Sequence, residues 1–224
     1  MIETPPILIT GIPRSGTSIV AAVVQQCDVF IGNILKRSMY ENHAIRDNIM
    51  KPYFERMGKD PKGQFPLPET KHVTIPADWR EKVEKLITAQ GYSEGTWMYK
   101  STTMGLIWPV WHNAFPNAKW IIVRRRTGDV IQSCLKTGYM RAYTDAEGWL
   151  GWVHEYEKRF VEMIEAGVNC KVIWPERMVT GDYQQMKEAL EWLGLQWFDE
   201  LTDFVDPLLW TSRKKERSEK LCQE

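Results

Sequence analysis

Short apolar runs alternate with amphipathic stretches along most of this chain. Ile7 to Thr10 is an apolar run broken by Gly11 and Pro13, the pattern of a buried strand entering a turn. From Ser15 to about Gln26 the residues are apolar almost all round, which predicts a helix packed on a sheet. Residues 38–58 are polar, with Ile45, Ile49 and Tyr53 spaced by four along one face of a helix. The segment 59–77 is rich in Pro, Gly and Lys and predicts a loop or mobile excursion rather than a domain boundary. "ADWREKVEKLITAQG" then returns to helical periodicity with a Gly at its end.

"WMYK" (97–100) and "KWIIV" (119–123) suit central strands, separated by a helical or irregular "GLIWPVWHNAFPN". "TGDVIQSCLKTG" reads as a helix with Thr127 or Asp129 near its start and Gly138 beyond its end. A long amphipathic helix, "DAEGWLGWVHEYEKRFVEMIEAG", a strand, "KVIW", and a helix, "DYQQMKEALEWLGL", complete the alternation. Strands alternating with helices predict an α/β protein of three layers, α/β/α, around a central parallel sheet covered on both faces. The expected organisation is one domain over 1–224, with 206–224 as a C-terminal tail.

Composition narrows the partners. Lys+Arg and Asp+Glu both number 29, so no global field favours nucleic acid or an anionic membrane, and any anion site must be local. The N-terminus has an acidic residue and two prolines where a signal peptide needs a basic region and a longer apolar run. No stretch approaches the roughly 20 apolar residues that span a bilayer. Cys27, Cys134, Cys170 and Cys222 are scattered without a C-x-x-C pair, which indicates neither a disulfide framework nor a zinc site. A soluble cytoplasmic protein is expected. The 11 tryptophans are mostly expected in core or lid packing, although "WLGWVHEY" suggests an aromatic-lined pocket or lid.

The chemistry concentrates in "ITGIPRSGTSIVAAVV" (9–24). Gly11, Gly16 and Ser18 fit the Walker A spacing G-x-x-x-x-G-K-[ST], but Thr17 stands where the lysine belongs, and the basic residue is Arg14. Strand, glycine loop and helix follow in the order a P-loop nucleotide-binding fold requires. In such a loop the amides of residues 14–18 would cradle an anion at a helix N-terminus, so the cradle survives the loss of the lysine. That loss argues against an ATPase or kinase, which needs the lysine together with a metal ion.

A second constellation is "WIIVRRRTGDVIQS", with Arg125, Asp129 and Ser133 spaced by four; this puts Asp129 and Ser133 on one helix face, and a guanidinium with a hydroxyl suits a phosphate dianion. Three arginines on a neutral chain do not make a nucleic-acid binder. Together these motifs resemble the sulfotransferase family. There a P-K-S-G-T-[TS] loop, here Pro13-Arg14-Ser15-Gly16-Thr17-Ser18, binds the 5′-phosphosulfate of 3′-phosphoadenosine 5′-phosphosulfate (PAPS). The family's 3′-phosphate element, R-x-x-x-D-x-x-x-S, matches Arg125, Asp129 and Ser133. "WMYKSTTMGLIWPVWHNAFPNAK", "VIWPERM" and "ALEWLGL" are similar to further family segments, so the resemblance spans about residues 7–196.

The resemblance implies sulfuryl transfer from PAPS, without a metal, to a small-molecule, carbohydrate or lipid acceptor through a hydroxyl or amine. It gives Arg14 the leaving phosphate oxygen, Lys100 the transferred sulfuryl oxygens, and Arg125 with Ser133 the 3′-phosphate. Arg213 and Lys214 in "WTSRKKE" echo a C-terminal basic contact to that phosphate, and a charged tail explains them equally. The family's better-known branch places a histidine base where this chain has Thr102, and an adenine-stacking tryptophan where it has Ile19. A threonine cannot take a proton near neutral pH. Glu41 in "MYENH" is the first candidate base, with His43 and His112 as others. A P-loop small-molecule kinase and a non-catalytic nucleotide-binding protein on the same fold are the alternatives.

Overall fold

The structure, a computed structural model, describes residues 2–34, 39–205 and 210. Four strands, β1 (Ile7–Gly11), β2 (Met98–Lys100), β3 (Lys119–Val123) and β4 (Cys170–Ile173), form a sheet in the order β2-β1-β3-β4. All three pairings are parallel. The apolar runs are continuous rather than alternating because both faces are covered. Successive side chains point to opposite faces, so Leu8, Tyr99, Trp120 and Ile122 join one core while Ile7, Ile9, Met98 and Ile121 join another.

The second core is closed by α1 (Thr17–Gln25) and α9 (Gln184–Leu193). The first is closed by a helical stretch made of α2 (His43–Ile45), a π-helical turn (Arg46–Met50) and α3 (Lys51–Arg56), and by α4 (Trp79–Ala89) and α5 (Trp108–Ala114). After β3 come α6 (Thr127–Lys136) and α7 (Ala146–Glu165), of which α7 also covers the first core. The expected three layers are therefore present. Ile45, Ile49 and Tyr53 are all buried, as their spacing predicts. Asn42 caps this stretch by accepting from the amides of Ala44 and Ile45 at 3.1 and 3.2 Å. A short helix that periodicity does not predict, α8 (Pro175–Val179), is begun by its proline.

Trp149, Trp152 and Tyr156 of "WLGWVHEY" are buried, as most tryptophans were expected to be, and Trp152 also lines a pocket, as that segment suggests. One expectation needs correction. The excursion itself is pinned. Trp152 Nε1 and Tyr156 Oη donate to the Gly63 carbonyl at 2.9 and 3.0 Å, and Arg159 Nη2 donates to the Pro68 carbonyl at 2.7 Å. A Cβ at residue 63 would lie 2.4 Å from the Tyr156 hydroxyl, so only glycine fits beneath these donors. Composition alone marks this segment as loop, but its anchors come from α7, about 90 residues away. Among the described residues no helix is long and apolar enough to cross a membrane.

Candidate functional site

In a parallel sheet all carboxyl ends share one edge, and that is where ligands bind. Register sets Ile9 beside Lys100 and Gly11 beside Val123, so the loop after β1, the end of β2 and the arginines after β3 meet there. The loop turns sharply. Ser15 N donates to the Ile12 carbonyl at 3.0 Å, Arg14 has φ 75° and Gly16 φ 91°. Such positive φ favours glycine and costs other residues on the order of 1–3 kcal/mol. At Gly11 a Cβ would sit 2.4 Å from the Val123 carbonyl oxygen, and at Gly16 it would sit 2.7 Å from the Trp210 ring. Both glycines let backbone and ring approach where a side chain would intrude.

Helix α1 then starts at Thr17 with no side-chain cap and no acidic residue in its first turn, which leaves a helix N-terminus suited to an anion. The Ser15 hydroxyl is buried at the loop and has no hydrogen-bond partner among the described residues. That is an orphaned polar atom in the loop whose motif is expected to hold an anion.

Arg14 and the arginine-serine element meet directly. Arg14 Nε donates to Ser133 Oγ at 2.9 Å, Arg14 Nη1 to Tyr139 Oη at 3.4 Å, and Arg125 Nη1 to the Arg14 carbonyl at 3.2 Å. Arg125 is only 4% exposed and lies 4.0 Å from Asp129. Its guanidinium sits 3.9 Å from the centre of the Trp210 ring. Burial pulls its pKa down, and the Asp129 and Glu176 carboxylates oppose that. A guanidinium keeps its charge throughout.

On the other side of the loop, Lys100 is 5% exposed, and its ammonium donates to the Met39 carbonyl at 3.0 Å. Ser18 Oγ donates to the same carbonyl at 3.3 Å, so the strand lysine and the loop hydroxyl converge. Burial lowers the Lys100 pKa, and the Glu41 carboxylate partly offsets it. Glu41 is 8% exposed, and its charge also acts on Arg46 and Tyr99. Arg46 is held in a two-pronged pair with Asp47, both contacts at 3.0 Å, which pulls the Asp47 carboxyl down to about 2. Among the described residues Glu41 accepts no hydrogen bond, and its charge acts on Lys100, Arg46 and Tyr99 through space.

The remaining candidates divide. His43 opens α2 two residues from Glu41, and its amide donates to the Asn33 carbonyl at 3.1 Å. His112 lies in the last turn of α5, which leads back to the start of β3, so it sits at the opposite edge of the sheet and away from the loop. Ile19 is wholly buried in the core beneath the sheet. Arg213 and Lys214 lie outside the described residues. Sequence reasoning missed Tyr139 and Trp210; the need for a bare Cα at Gly16 was the only local sign that a ring packs there. Among the described residues no cluster of three or more His, Cys, Asp or Glu is placed to hold a metal.

A model described as the sulfotransferase family matches residues 5–199. The sulfotransferase domain of the olefin synthase from Synechococcus PCC 7002 superposes with a TM-score of 0.56 at 15% identity, covering 90% of this chain and 76% of that one. The sulfotransferase STF1 from Mycobacterium tuberculosis H37Rv gives a TM-score of 0.49 at 11% identity, covering 92% and 71%. No curated protein matches the chain.

Proposed function

The chain belongs to the sulfotransferase family, and from that premise we propose that it moves a sulfuryl group from PAPS to a hydroxyl or amine acceptor by in-line, metal-independent transfer. One contact supports this above all: Arg14 Nε donates to Ser133 Oγ across 2.9 Å, joining the loop suited to a 5′-phosphosulfate to the helix suited to a 3′-phosphate. A nucleotide phosphorylated at both ends needs both elements at one edge. The orphaned Ser15 hydroxyl and three cations, Arg14, Lys100 and Arg125, fit a ligand with anionic groups at both ends.

PAPS supplies an activated sulfuryl group on a phosphate leaving group. The loop amides, Arg14, Thr17 and Ser18 hold its 5′ end, and Arg125 with Ser133 holds the 3′-phosphate. Pro13 and Gly16 shape the loop. Lys100, kept charged by Glu41 against the pull of burial, sets a positive charge where negative charge grows on the transferred oxygens. Glu41 takes the proton from the acceptor's hydroxyl, and His43 flanks it. Arg213 and Lys214 extend the 3′-phosphate contact.

Calorimetry with adenosine 3′,5′-bisphosphate, set against ATP plus Mg²⁺, tests the donor. The bisphosphate binds and ATP does not; binding of ATP alone would return the chain to the kinases. Radiolabelled sulfate transfer that is lost in Glu41→Gln separates an enzyme from a non-catalytic nucleotide binder.

A further inference from the structure

A cavity of about 650 Å³ lies between the pinned excursion and one flank of α7, with the buried Trp152 and Arg159 in its lining. Its volume falls within the range of about 300–1,000 Å³ usual for ligand sites. It is a groove rather than a pit: its α7 wall runs from Gly148 to Glu162, 15 residues, or about 20 Å of helix. Both walls are built. Arg159, itself buried, ties the Pro68 carbonyl and the Glu155 carboxylate at 2.7 Å each, and Thr70 donates to Glu162. At the upper end Phe65 is 65% exposed and meets Tyr143 edge-on at 6.2 Å. That end adjoins the anion site, because Gln64 Nε2 donates to the Tyr139 carbonyl at 2.9 Å and the Tyr139 hydroxyl meets Arg14.

We propose, building on the sulfotransferase reading, that this groove binds the acceptor and that the acceptor is a neutral carbohydrate chain. Four features select that class. The groove is long and open, which suits a chain laid along it rather than a small phenol enclosed on all sides. Its charged lining is balanced, with Glu69, Glu155 and Glu162 against Lys71, Lys158 and Arg159, so no net field recruits a polyanion or polycation. Carboxylates and ammonium groups together accept from and donate to hydroxyls. Phe65 and Tyr143 offer flat apolar faces to sugar rings. Gly151 adds a bare patch: a Cβ there would meet nothing within 4 Å.

The experiment is ³⁵S transfer from labelled PAPS to a panel of neutral oligosaccharides, 2-naphthol, a long-chain alcohol and a tyrosine-containing peptide, with binding of the unlabelled chain to a printed array of the same glycans. Oligosaccharides are labelled and bound in preference to the others. Two variants report on the groove: Phe65→Ala removes the exposed face, and Gly151→Leu fills the groove on a helix that a leucine favours over glycine. Each raises KM for the oligosaccharide about tenfold with kcat within about twofold, and array binding falls alike. Bisphosphate affinity measured by calorimetry is unchanged in both. Labelling confined to the naphthol, the alcohol or the peptide overturns the carbohydrate assignment, as does labelling of nothing. Oligosaccharide transfer that both variants leave untouched overturns the groove. Failure of the bisphosphate to bind would overturn the donor instead, and glycan binding to the array would still be read independently.

Discussion

The donor bank proposed for this cleft is made of backbone, and the proposed acceptor bank is made of side chains. On the donor side, β1 delivers a glycine loop whose shape is fixed by bare Cα positions at Gly11 and Gly16 and whose charged partner, Arg125, is almost fully buried. On the acceptor side, segments far apart in sequence are tied by single contacts, such as Gln64 to Tyr139, 75 residues away, and two aromatic rings, Phe65 and Tyr139, stand more than half exposed. Were PAPS the donor, as proposed, its phosphates would be the same in every turnover, so a rigid cradle would cost nothing in versatility. Acceptors differ, and a bank of exposed side chains can change without disturbing the sheet.

Variants on the two banks should therefore separate into those that weaken the nucleotide and those that spare it. The largest effect belongs to Arg14→Ala. It removes the guanidinium that bridges loop and helix, so transfer falls about 10³-fold and calorimetry shows weaker bisphosphate binding. Glu41→Gln comes next, with transfer down about 10²–10³-fold and bisphosphate affinity unchanged. If Glu41→Gln weakens the nucleotide as much as Arg14→Ala does, the division between the banks is wrong.

That division also explains what could be read from the chain. The loop and the arginine-serine element proposed as the donor bank were legible as motifs because their geometry is written in contiguous residues: an apolar run, glycines at fixed offsets, and an arginine, aspartate and serine spaced by four. The alternating pattern likewise foretold the parallel sheet and both layers of helices, since burial on two faces leaves continuous apolar strands. The excursion was legible only as a loop. Its anchors, Trp152, Tyr156 and Arg159, present an ordinary amphipathic helix in sequence, and nothing local says that they reach Gly63 and Pro68. His112 misled for the same reason: closeness to Lys100 in sequence does not survive a helix that carries it to the far edge of the sheet.

Lys100 sits at the seam between the banks, and its buried charge yields a prediction of two signs. Lys100→Met removes the charge proposed to face the transferred oxygens, so kcat should drop about 10²-fold. The same substitution removes a buried ammonium whose folded pKa lies below its unfolded value. A group of that kind carries a cost to folding that is fully present below the folded pKa and vanishes as pH rises past the unfolded one, because the unfolded chain binds the extra proton in between. At neutral pH the variant should therefore be more stable, by about 1 kcal/mol in urea denaturation. In the wild type the alkaline limb of the rate should begin below the ordinary lysine range. A variant both slower and less stable would mean that Lys100 is structural.

The smallest effect tests whether the donor bank closes on itself. Trp210 covers the guanidinium of Arg125 at 3.9 Å from its ring centre and packs against Gly16, so it touches both anion elements at once. A cation held over an aromatic face gains about 0.5–2 kcal/mol, the upper end where both are desolvated, as they are here. Trp210→Ala should weaken bisphosphate binding about tenfold, whereas Trp210→Phe, which keeps a π face, should recover most of that loss. Neither should alter KM for the acceptor, because no acceptor-bank residue packs on the ring. A Trp210→Ala protein that binds the bisphosphate as wild type does, while losing its acceptor, would move the ring to the other bank.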